Sequence, residues 1–145
     1  MDDFVQPGVR VRDLVDFVAA CVARGASPWA EPTRSVVFAV SPASFVALMW
    51  RDGGGVLYVP DDPALLRLRY PFLAEREAVS LCRTFFGEKV ELPSMGQLVR
   101  YCRNGMIARL RADGLSVAEI ARRVCVTRRW VRMLGNVDGG SADHG

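Results

Sequence analysis

Between Leu115 and Leu134 the chain carries a pattern that few folds accommodate. Ser116 stands three residues before Glu119, a capping box in which hydroxyl and carboxylate each satisfy a backbone donor at a helix start. A helix is expected from Val117 to Arg123. After a turn, Thr127 can cap another helix running to about Gly135. Two short helices joined this closely must cross steeply, with a small residue where they meet and an apolar residue sealing the corner. Ala121 meets the first requirement and Val126 the second, while Ile120, Val124, Val131 and Leu134 fall on inward positions. The spacing is that of a helix-turn-helix, with Cys125 at the turn position where glycine is usual for left-handed backbone angles. Two amphipathic helices in a plain bundle would share the periodicity, but would have no reason to keep so cationic an exposed face.

Charge is distributed accordingly. Residues 1–95 hold ten Lys or Arg against twelve Asp or Glu, whereas residues 96–136 hold nine Arg against only Asp113 and Glu119. A basic module attached to a mildly acidic one implies a polyanion-binding end and a separate end for assembly.

Upstream, Leu14, Phe17, Val18, Cys21 and Val22 share one helical face, which Gly25 can end. Ser35 to Val40 reads as a strand, because Val36, Val37, Phe38 and Val40 are β-branched or aromatic. Ser41-Pro42 starts a helix with Phe45, Leu48 and Met49 on its stripe, stopped at Gly53 to Gly55. Val56 to Val59 is a second expected strand, and Asp62-Pro63 opens a short helix. A longer helix, about Phe72 to Phe86, would turn Val79, Cys82, Phe85 and Phe86 inward, with Gly87 as its cap. Lys89 to Leu92 is a third extended segment, ended by Pro93. From Met95, Leu98, Val99, Cys102, Met106 and Leu110 support a helix that Asp113-Gly114 closes. The expected fold is mainly α with a few short β-strands (α+β). A small N-terminal α/β assembly domain, 1–86, is followed by a linker strand and helix-turn-helix, 87–136, and a disordered tail, 137–145.

Cys21, Cys82, Cys102 and Cys125 form no close pair, and no cleavable signal sequence is read at the start, so reduced thiols packed as small hydrophobes in a cytoplasmic protein are expected. Without a CxxC, and with His144 alone in a Gly/Asp-rich tail, neither a metal site nor histidine-based catalysis has its usual parts. Asp61-Asp62 or Glu75 with Glu77 could be imagined as acid pairs. Asp62 before Pro63 reads as a cap, however, and Glu75 and Glu77 as a solvated helix face. The chain is expected to be neither an enzyme nor a cofactor binder, and charged, Gly or Pro residues interrupt every apolar run short of a membrane span.

With Val131 and Leu134 inward, the opposite face of the last helix presents Thr127, Arg128, Arg129 and Arg132, with Met133 at its edge. Residues near the amino end of such a helix reach base edges in the major groove, and Arg pairs bidentately with guanine, so Arg128 and Arg129 are the first candidates for base readout. Arg132 could read a base or clamp a phosphate. Trp130 could pack as core, touch sugar and base surfaces, or cover a dimer seam. Arg122, Arg123, Arg100, Arg103 and Arg109 are placed for backbone phosphates, which orient a duplex without reading it.

Phe86-Gly87-Glu88-Lys89-Val90-Glu91-Leu92-Pro93, continuing through Arg103-Asn104 and Ile107 into Leu115-Ser116-Val117-Ala118-Glu119-Ile120-Ala121, resembles the Mor transcription activator family of Mu-like phages. The likeness covers about the last 50 structured residues. It implies a phage- or prophage-encoded homodimer, paired through the amino-terminal part and a linker strand at Val90 to Leu92, that activates promoters with host RNA polymerase. A different expectation comes from residues 1–86, which are large and varied for a minimal dimer arm. They could inhibit or recruit another host protein complex, leaving the helix-turn-helix to autoregulate.

Overall fold

The computed structural model describes residues 3–139. Its elements in chain order are β1 (Phe4–Gln6), β2 (Val9–Arg10), α1 (Val11–Arg24), α2 (Thr33–Ala39), α3 (Pro42–Asp52), β3 (Val56–Tyr58), α4 (Pro63–Arg69), α5 (Glu75–Phe85), β4 (Lys89–Glu91), α6 (Met95–Ala112), α7 (Val117–Val124) and α8 (Arg128–Gly139). The fold is mainly helical with a few short strands, as the sequence led us to expect.

Two compact units emerge, and neither follows the expected division at residue 86. The larger is Leu14–Leu98; the smaller combines the described parts of Met1–Asp13 and Val99–Gly145. The reason lies in two strand pairings. The expected linker strand β4 pairs antiparallel with β3 of its own chain, Val56 opposite Glu91 and Tyr58 opposite Lys89, so it belongs with the larger unit. Residues 4–10 form a β1–β2 hairpin, turned at Pro7-Gly8, that belongs with the helix-turn-helix.

In the larger unit, α3 starts where expected: the Ser41 hydroxyl accepts from Ser44 N, with Pro42 at the first helical position. Asp62 caps α4 likewise, accepting from Ala64 N. The core includes Phe45, Leu48, Met49, Leu57, Leu66, Leu73 and Leu81, all essentially inaccessible to solvent. Trp29 stacks at a tilt on Phe45, ring centres 5.3 Å apart, and its indole N–H donates to Gln97 Oε1 at 3.1 Å. The buried Tyr70 hydroxyl donates to Asp52 at 2.6 Å, and burial together with that carboxylate raises its pKa.

Ser35 to Val40 is not a strand; α2 covers most of it. Val36, Val37 and Val40 are all buried, the i, i+1, i+4 spacing of one helical face, and burial overrides their β-branched propensity. Glu31 supports the first turn, accepting from Ser35 N at 3.2 Å and from the Ser35 hydroxyl at 2.5 Å. Helix α5 begins at Glu75 rather than Phe72, and its inward face is Ala78, Leu81, Cys82 and Phe85; Val79 is half-buried and Phe86 is 71% exposed.

Glu77 does not lie on a solvated face. It is 5% exposed and joins the starts of two helices. Oε2 accepts from Ser41 N at 2.5 Å, and Oε1 accepts from Ala74 N at 2.8 Å and from the Ser44 hydroxyl at 3.0 Å. Burial alone would raise its pKa, but these donors outweigh that and hold the carboxyl below its ordinary value.

Cys21, Cys82 and Cys102 are buried as expected, while Cys125 is exposed in the turn that follows α7. Burial raises the pKa of Cys21 and Cys82. Helix α8 passes Gly135 and continues to Gly139, into the segment expected to be a disordered tail. The remainder of that tail, 140–145, lies outside the described residues, as does His144.

Candidate nucleic-acid interface

The smaller unit is built on a compact apolar cluster. Ile107 of α6, Ile120, Ala121 and Val124 of α7 and Val131 of α8 are buried together, with Leu115, Val126, Trp130 and Leu134 packed partly against them. Ile120, Ala121, Val124, Val131 and Leu134 are the positions the spacing predicts and Val126 lies at the corner, whereas on α6 the buried residue is Ile107, with the expected Met106 and Leu110 only partly buried beside it. The capping box forms in full: Ser116 Oγ accepts from Glu119 N at 3.2 Å, and Glu119 Oε1 accepts from Ser116 N at 3.1 Å. The backbone N–H of Ser116 lowers the Glu119 pKa, with the hydroxyl and the Arg122 and Arg123 charges adding to it.

Cys125 takes the left-handed conformation that the turn requires, with φ 60° and ψ 47°. Beyond it, Thr127 Oγ1 accepts from Trp130 N at 3.0 Å and Thr127 O accepts from Val131 N at 3.2 Å, which starts α8.

At about 100° per residue, Val131, Leu134 and Trp130 occupy one side of α8, and Arg128, Arg132 and Arg129 fan over about 100° of the other. All three arginines are exposed, as are Thr127 and Met133. Arg122 and Arg123 are exposed at the end of α7, and Arg100 and Arg109 are exposed on α6. Trp130 is half-buried, its indole N–H donating to Asn104 Oδ1 at 3.4 Å. Of the three readings open for Trp130, partial packing describes this placement.

Arg103 departs from its expected place on a phosphate-facing surface. It is half-buried, with Nη2 donating to Pro7 O at 2.6 Å and Nη1 to Gln6 Oε1 at 3.4 Å, while Nε is buried without a partner. This guanidinium braces the β1–β2 hairpin. The hairpin in turn meets the helix-turn-helix: Gly8, at φ +81°, lies so close to the α7–α8 turn that an added Cβ would fall 2.5 Å from Val124 O. The Pro-Gly dipeptide announces that turn in the sequence; its contact partner, more than a hundred positions away, has no local signal.

Arg111 makes a contact that no local pattern in the sequence announces. Its Nη2 donates to Val131 O at 2.5 Å, and its guanidinium crosses so near Gly135 that a Cβ there would lie 2.6 Å from it. Gly135, read from the sequence as a helix stop, instead makes room for this contact.

Among the described residues, no group of three or more His, Cys, Asp or Glu side chains is arranged to hold a metal ion, and no helix is long and apolar enough to cross a membrane. No family model, curated protein or solved structure matches the chain.

Proposed function

We propose that this chain is a sequence-specific, double-stranded-DNA-binding transcriptional regulator that acts as a homodimer. The observation that carries the reading is the exposed fan of Arg128, Arg129 and Arg132 on α8, opposite the buried Val131, on a helix positioned by a left-handed turn. The exposed Arg100, Arg109, Arg122 and Arg123 supply the sequence-independent attraction to phosphates, and the α8 face supplies the donors for base edges. In a dimer two such helices would be spaced by about 34 Å, one turn of DNA, and would read a pseudo-palindromic site. The Mor-like approach to the motif supports promoter regulation and a phage or prophage setting. Selection of duplexes from a random pool, followed by anisotropy titration in about 150 mM salt, tests the reading. Enrichment of one sequence with inverted half-sites supports it; equal, weak binding to every duplex overturns it.

A second reading is favoured by exposed apolar side chains in the larger unit. Leu65 and Leu68, 54% and 78% exposed, stand one turn apart on α4, and Phe86 is 71% exposed after α5. In this reading the larger unit inhibits or recruits a host protein complex, and the helix-turn-helix serves autoregulation. Capture from host lysate by the full chain, and its loss with Leu65→Ser and Leu68→Ser together, would support it. Recovery of the chain alone would favour self-association.

A further inference from the structure

A groove of about 360 Å³ runs along one flank of α8 in the smaller unit. Its walls are largely apolar, formed by Trp130, Met133 and Leu134, and Arg129 and Arg100 stand among its lining residues from α8 and α6. Asn104, one turn after Arg100 on α6, also lines it, and its carbonyl oxygen accepts the Trp130 indole N–H, which fixes the indole against that side. Two arginines from different helices line an apolar trough, the Arg100 guanidinium lying 5.8 Å from the centre of the Tyr101 ring, and together they match one occupant well. A deoxyribose–phosphate segment presents an anionic oxygen pair for bidentate donors and a sugar with an apolar face for the ring and thioether.

We infer that this groove seats the sugar–phosphate backbone of one DNA strand, held between Arg129 and Arg100, and that Arg129 is therefore a phosphate clamp rather than a base reader. The inference rests on the proposed DNA-binding function and divides the α8 face in two. Arg128 and Arg132, about 40° apart around the helix axis and turned away from the Trp130 side, are left to read bases. Arg129, about 60° farther round toward Trp130, borders the groove instead. The helix thus presents base-reading and strand-holding donors side by side, and the side chains of α6 take part in the second task only.

The test uses the full-length protein and a duplex selected from a random pool, with anisotropy titrations over a series of salt concentrations and a panel of single base-pair substitutions. Arg129→Ala and Arg100→Ala should each weaken binding to every duplex by a similar factor. Each should also reduce the slope of log affinity against log salt by about 0.9, the signature of one lost phosphate contact. The ranking of the substituted duplexes should not change. Arg128→Ala should instead flatten discrimination at particular base pairs by roughly 5- to 150-fold. Because these side chains are exposed, far-UV circular dichroism of the variants should match the parent. If Arg129→Ala erases the preference at one base pair while Arg100→Ala does not, Arg129 reads a base and the clamp assignment is overturned, though DNA binding stands. If the parent protein prefers no duplex in the pool, the DNA-binding reading fails and takes the inference with it.

Discussion

Replacing Gly8 with alanine probes the contact by which the amino-terminal hairpin meets the helix-turn-helix. Two penalties combine at this position. A left-handed conformation costs an L-residue about 1–2 kcal/mol, and Gly8 has φ +81°. The added Cβ would also lie 2.5 Å from Val124 O and 2.7 Å from Val124 C, both backbone atoms that cannot rotate aside. Relieving that overlap means displacing the hairpin tip or the turn, for which overpacking values of about 1–3 kcal/mol are the guide. The expected loss for Gly8→Ala is thus about 2–5 kcal/mol. Gly114 provides the matched control: it has φ +90°, but nothing within 4 Å of its added Cβ, so Gly114→Ala should carry only the conformational penalty, about 1–2 kcal/mol. Urea denaturation of both variants, with amide exchange read at Val124 to Thr127, separates the two terms. Faster exchange at the turn should accompany Gly8→Ala alone. Equal losses and equal exchange would show that the hairpin tip does not press on the turn, and the reasoning would be refuted.

Other substitutions test the remaining contacts. Glu77→Ala strands the Ser41 and Ala74 N–H groups and the Ser44 hydroxyl, and should destabilise the fold by about 2–4 kcal/mol in urea titrations. Because the folded-state pKa of Glu77 lies below its unfolded value, its stabilisation is fully present above about pH 4.3 and is lost as pH falls through the lower, folded value. The stability gap between the parent and Glu77→Gln should accordingly narrow in acid; a gap that widens below pH 4 would reverse the assignment. Cys125→Gly removes the Cβ from a left-handed residue and should raise stability by about 0.5–1 kcal/mol, whereas Cys125→Ala should leave thermal unfolding nearly unchanged. Arg111→Ala removes the donor to Val131 O, and should speed amide exchange in α8 more than in α7.

What the sequence disclosed, and what it concealed, follow from the range of the contacts involved. The α7–turn–α8 segment was legible because its determinants are local: Ser116 and Glu119 cap across three residues, Thr127 caps α8 across the next three, and Val131 and Leu134 repeat at helical spacing. The starts of α3 and α4 were legible for the same reason. Ser35 to Val40 misled because β-branched residues carry only a weak preference, and the buried face of α2 decided the outcome. Arg103 and Arg111 were misread or missed because their partners lie 96 and 20 positions away, and Glu77 because, besides the local Ala74 N, it binds Ser41 N 36 positions away, a partner that nothing in its neighbours announces. The strand at Lys89 to Glu91 was visible as an extended segment, but its pairing with Val56 to Tyr58 was a tertiary fact that moved the unit boundary.

The exposed arginine fan of α8 carries the whole functional account, and mass in solution tests it most directly. Light scattering would compare the 16.0 kDa chain, with and without a duplex selected from a random pool, against a variant with Arg128, Arg129 and Arg132 all changed to alanine. The account requires the parent to form a complex of two chains on one duplex, and the triple variant, still folded, to leave the duplex at its free mass. A parent protein that leaves the duplex mass unchanged, or a triple variant that binds as well as the parent, would contradict it.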